Sequence, residues 1–208
     1  MSDTEDFAEA TSDPNIVRLY RTDGDGTLVF REAWVDAGEA GGDETWFVVN
    51  HGPVGRQSTS EESAVGSVGE AYRLLAAFRE QALADGYAEL ARDEQFAVVA
   101  QFALKSARVT DRDRYLEEKA REALTAHLAW RGSGIVEKTE FTDGPHGTGR
   151  LNIHILAPDA ARAVANVKVC IREEKLDFTK LTIATAPAND LGALRTKHSP
   201  NGSTAFHL

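Results

Sequence analysis

The hydrophobic positions of the chain follow two rhythms. In the first third they recur at every second position in short runs, as in half-buried strands. Residues 16–21 form a first strand, closed by the turn sequence Asp23-Gly-Asp-Gly. Leu28, Phe30 and Trp34 share one face of a second strand, with Arg31 on the other. A Gly-rich, acidic loop from Gly38 to Asp43 leads into a third, Thr45-Trp-Phe-Val-Val-Asn. Gly52-Pro53 and Gly55 predict a tight turn, and Ser58, Thr59, Ser60 and Ser63 read as a polar loop.

The spacing then changes to that of helices. Ser67 and Glu70 have the separation of a capping box, and Ala71, Tyr72, Leu75, Phe78 and Ala82 form one stripe. Gly86 stands where a helix ends in the left-handed conformation. A strand follows, with Phe96, Val98, Ala100 and Phe102 on one face. Thr110 and Asp113 cap a second helix whose stripe runs from Leu116 to Leu128, and Gly132 and Gly134 stop it. Two strands, 135–141 and 150–156, flank a Gly-rich turn. Asp159 caps a third helix that buries Ala160, Val164, Val167 and Ile171, and a last strand spans 180–185.

The fold class is therefore α+β. From residue 95 the order is strand, helix, strand, strand, helix, strand, the ferredoxin-like βαββαβ plan. Two amphipathic helices would cover one face of an antiparallel sheet and leave the other free. Pattern alone leaves open whether 95–104 belongs to this unit or closes the first sheet. The division read from the sequence is an acidic disordered tail (1–14), a first domain (15–93), a ferredoxin-like domain (94–187) and a flexible C-terminal tail (188–208).

In the first half, His51-Gly-Pro-Val-Gly-Arg-Gln, the helix centred on Ala77-Phe78-Arg79 and then Asp85-Gly86-Tyr87 resemble a divergent WGR domain. Leu19-Tyr20-Arg21 before them and Gln95-Phe-Ala-Val-Val-Ala-Gln-Phe after them are similar too. The resemblance covers about residues 15–104 and implies a small antiparallel sheet plus a helix, a module that in poly(ADP-ribose) polymerases contacts DNA ends and neighbouring domains. The signature Trp-Gly-Arg aligns with His51-Gly52-Pro53, so only the glycine is kept. Proline has no group to clamp a phosphate, and Arg56 is the nearby cation that can stand in. The resemblance makes His51, Arg56 and Trp46 the expected contact residues.

Composition narrows the function classes. Of 208 residues 42% are hydrophobic and 27% charged, ordinary for a globular chain. The formal charge of −10, from 33 acidic and 23 basic residues, disfavours nucleic acid, whose affinity rests on Lys and Arg displacing counterions. No run approaches the length of a membrane span, and the acidic start lacks the form of a secretory signal. The single cysteine, Cys170, rules out an intrachain disulfide. These features point to the cytoplasm.

Chemistry is sparse. His154, Asn152 and Arg150 lie on the strand face opposite Leu151, Ile153 and Ile155, the expected open face, and are candidate binding residues. The turn Asp143-Gly-Pro-His146-Gly-Thr-Gly-Arg150 concentrates a carboxylate, an imidazole and an arginine, and Asp143, His146 and His154 can be read as a metal cluster. The spacing matches no metal motif, and turn geometry alone accounts for the residue types. His127 and Cys170 fall on or beside apolar helix stripes, as packed residues do. Trp130-Arg131 at a helix end fits an interface. There is no nucleophile elbow and no P-loop. The expectation is a non-enzymatic interaction protein with a protein partner, no catalytic residues, no cofactor and no bound metal. The alternatives are a DNA-binding regulator and an enzyme built on the Asp143/His146/His154 cluster.

Overall fold

The computed structural model describes residues 15–36 and 44–208. The acidic segment 1–14 and the loop 38–43 expected above lie outside the described residues. Packing separates two units. One holds the described residues up to Arg21, of Phe30–His51, and Thr59–Glu89; the other holds Thr22–Val29, Gly52–Ser58 and Leu90–Leu208.

The N-terminal half forms a four-stranded antiparallel sheet followed by a helix. β1 (Ile16–Thr22), β2 (Leu28–Asp36), β3 (Thr45–Pro53) and β4 (Thr59–Val65) lie side by side in chain order. β4 replaces the polar loop expected at 58–63. Its sequence, Thr-Ser-Glu-Glu-Ser-Ala-Val, has no apolar alternation because it is an exposed edge strand. Its ladder with β3, from Thr45↔Val65 to His51↔Thr59, needs only backbone groups.

Helix α1 (Val68–Ala84) starts at Ser67, whose hydroxyl accepts from Glu70 N. The Glu70 carboxylate accepts from Gly66 N, one residue before the bond of a full capping box. Ala71, Leu75 and Ala82 are buried, and Phe78 meets Phe47 edge-on with ring centroids 6.5 Å apart. Tyr72, expected in the stripe, is 43% exposed and donates to Asn15 Oδ1. The helix ends at Gly86 with φ +83°. There the Asp85 carboxylate accepts from Arg31 and from Gln81, which hold its pKa below the usual range, and Arg21 and Arg31 both stack on Tyr87. On the opposite sheet face Arg18 pairs with the buried Glu32 at 2.5 Å.

The second sheet has five antiparallel strands in the order β6-β7-β5-β8-β9. They are β5 (Phe96–Leu104), β6 (Ile135–Asp143), β7 (Gly149–Ala157), β8 (Leu181–Pro187) and β9 (Arg195–His198). β5 is central, so residues 96–104 belong here. Helices α2 (Asp111–Ala129) and α3 (Ala160–Glu173) pack on one face, where Phe102, Ile153 and Ile183 meet Leu124, Leu128 and Val167 without solvent exposure. Each such side chain removed from water stabilises the fold by about 1.5–3 kcal/mol. Thr110 and Asp113 cap α2 as expected, in a reciprocal box, and Asp159 accepts from Arg162 N. β9 lies in the segment expected to be a flexible tail; Arg-Thr-Lys-His carries no apolar alternation, and only pairing with β8 makes it a strand. Among the described residues, no helix is long and apolar enough to cross a membrane.

Candidate functional site

The sheet face expected to be open is covered. Asn152 is 0% and His154 6% exposed. Asn152 accepts from Gln101 at 2.8 Å and donates to Thr142 at 3.1 Å. Gln101 also donates to the His207 carbonyl, and Arg150 to the Leu208 and Asp143 carbonyls, so the segment after β9 lies on this face. His154 Nε2 faces Glu140 Oε1 at 2.6 Å, and Lys138 bonds the other oxygen. Burial works against the Glu140 charge, but the bonds from His154 and Lys138 outweigh it and hold the carboxyl below its ordinary pKa. These groups satisfy one another, as buried polar groups must. The result is a structural polar layer rather than a free ligand platform.

The Asp143/His146/His154 cluster does not assemble. Asp143 pairs with Gly149 and Lys138 with His154, which puts His154 five residues up the strand from the turn. At a strand's rise per residue that is roughly 17 Å. His146 sits exposed at the turn with φ 56°. Among the described residues, no group of three or more His, Cys, Asp or Glu is arranged to hold a metal ion.

The WGR-type contact set is also dispersed. Trp46 and His51 are five residues apart on β3 and so project from opposite sheet faces. Arg56 is exposed and borders a cavity of about 470 Å³ with Asp23, Asp25, Asp159 and Arg162, where carboxylates outnumber cations. Its loop is bound by backbone. Gly55 N donates to Arg131 O at 2.8 Å, Ser58 N donates to Trp130 O at 3.1 Å, and Asn166 reaches Gly55 O at 3.4 Å. Trp130 thus serves this loop through its carbonyl.

His127 and Cys170 share a cavity of about 340 Å³ beside α2 and α3. Burial, then the neighbouring Glu174 and Glu173, push the Cys170 thiol up to about 12, so it is protonated at neutral pH. Burial, then Arg131, lowers the His127 pKa and favours the neutral ring. The pair contains no activated nucleophile.

A larger groove of about 570 Å³ lies where α3 stops covering the sheet. The two helices cover the sheet's middle, and β9 extends the sheet one strand further. The side of α3 toward this step carries Ala160, Ala161, Val164 and Ala165, and small side chains leave the gap unfilled. Phe96, 38% exposed, and Pro187 complete an apolar floor. Lys168, Arg195 and Lys197 form the rim, and among the described residues no carboxylate lines it. Among the described residues, none of these three cations is bonded to a carboxylate.

The sequence reading missed these residues. Arg195 and Lys197 line the groove from β9, where the ladder with β8 shifts register, and without apolar alternation the segment read as a tail. The chain matches no protein-family model, no curated protein and no solved structure.

Proposed function

We propose that the protein is a non-enzymatic interaction protein, a WGR-like unit followed by a ferredoxin-like unit, that docks another protein through the groove beside α3. The ferredoxin-like reading is supported by the strand order β6-β7-β5-β8, in which each helix crossover joins two strands separated by an antiparallel third. β9 is an addition to that plan. The WGR-like reading is supported by a four-strand sheet in chain order followed at once by α1.

The observation that carries the docking function is the groove itself. It combines an apolar floor, an exposed aromatic ring and cations that meet no carboxylate among the described residues, whereas the polar groups of the sheet face are bonded to one another. Interface cores are apolar and aromatic with a polar rim, the same arrangement. Arg56 and Arg150, around either of which the alternative DNA-binding reading would need a basic patch, sit among carboxylates and bonded to backbone carbonyls respectively.

A photo-crosslinking residue placed at Phe96, and a second placed at Glu61 on exposed β4, test the reading in the protein's own cells. Discrete protein adducts from position 96 and none from position 61 are expected. No adduct at 96, or the same adducts at both positions, overturns it.

A further inference from the structure

The geometry points to a partner segment of definite chemistry in this groove: an extended acidic stretch with one large apolar side chain at its centre. This rests on the docking reading above and names what docks. Charge sets the sign of the partner. The chain carries −10 overall, yet Lys168, Arg195 and Lys197 converge on one opening with no carboxylate from the described residues among them. The cations continue beyond the rim, where Arg172 lies 4.0 Å over the Phe178 ring. His198 stacks on the same ring at 4.6 Å. Its pKa is lowered by burial and then by Lys168 and Arg172, whose charges lie near its ring. An anionic segment relieves that positive charge and is steered to it, while the acidic remainder of the surface repels the same segment elsewhere.

Shape sets the rest. The floor of Phe96, Val164, Ala165 and Pro187 has no charged group, so a purely ionic ligand would leave it wet. About 570 Å³ admits a large side chain, which would bury apolar area against Phe96. Arg195 and Lys197 both line the groove from β9, the last strand of the sheet, whose ladder with β8 shifts register so that Lys197 falls between the paired Thr196 and His198. An extended peptide running along β9 can set acidic residues against both while its central side chain enters the groove. A nucleic acid offers the same charge, and the oligothymidylate probe below separates it from an acidic peptide.

The test is fluorescence anisotropy on the full chain with a labelled nine-residue peptide carrying four Asp or Glu residues around a central Phe. Comparison probes replace the Phe by Gly, replace the acids by Lys, or are a single-stranded oligothymidylate of equal charge. Wild type is expected to bind the acidic Phe peptide best. Combining Lys168→Glu, Arg195→Glu and Lys197→Glu is expected to weaken it on the order of ten-fold or more, from three exposed ion pairs lost and then reversed. Ala165→Trp, which fills the groove without altering charge, is expected to abolish the gain from Phe. Unchanged circular dichroism shows that both variants are folded. Equal affinity for the Gly peptide, tighter binding of the oligothymidylate, or full binding by the charge-reversed variant overturns the inference. Crosslinks at position 96 to a partner segment without acidic residues overturn it too, while leaving the docking function standing.

Discussion

Replacing Gly55 by alanine tests the account of the bound loop, and Gly26 supplies its control. Both glycines lie in turns with nearly the same left-handed backbone, φ +85° and +83°. An L-residue in that region costs roughly 1–2 kcal/mol, the same at both sites. Space separates them. A Cβ at Gly26 meets nothing within 4 Å, whereas at Gly55 it would stand 2.9 Å from Cδ, 3.0 Å from Cβ and 3.1 Å from Cγ of Arg162. Carbon contacts are favourable at about 3.5–4.0 Å, and Arg162 Cβ is fixed to α3, so the side chain cannot swing clear. Overpacking of this kind adds about 1–3 kcal/mol. Gly26→Ala should therefore cost about 1–2 kcal/mol and Gly55→Ala about 2–5 kcal/mol, on the sum of these terms. Urea denaturation followed by circular dichroism reads the difference as a lower midpoint at unchanged slope. Removing Cγ and Cδ with Arg162→Ala should recover part of the Gly55→Ala loss. Equal midpoint shifts for the two alanine variants would refute the packing argument.

Four further outcomes are expected. Asn152→Ala leaves Gln101 and Thr142 without their buried partner and should cost about 1–3 kcal/mol by the same assay; no loss would mean that the polar layer is not structural. Glu32→Ala removes the carboxylate from the mostly buried Arg18 guanidinium, leaving it Tyr20 alone, and should cost about 3–5 kcal/mol, whereas Arg18→Met with Glu32→Leu should cost far less; equal losses would contradict this. His127 and His198 have folded pKa values below the ordinary 6.5. As pH falls below about 6.5 the unfolded chain takes up protons before the folded one, so stability should drop, and His127→Gln should flatten that slope. Cys170, 1% exposed with its thiol near 12, should resist a maleimide in the native chain and react on unfolding; rapid native labelling would overturn its burial.

The sequence by itself determined the elements whose side chains announce them. Period-two runs on β1, β2, β3 and β5, the Thr110–Asp113 cap and Gly86 each encode their structure locally, through alternation, a reciprocal hydrogen bond or a left-handed φ. Tertiary structure alone decided the elements that borrow their stability from neighbours. β4 and β9 carry no apolar pattern, because an edge strand is held by the backbone ladder of the strand beside it. The face bearing Asn152 and His154 looked open because alternation tells which residues share a face, not what lies on it; residues 207 and 208 reach it from 106 and 58 positions away. The groove was hidden for the same reason. Its floor comes from β5, α3 and β8 and its rim from α3 and β9, so no stretch of sequence contains it.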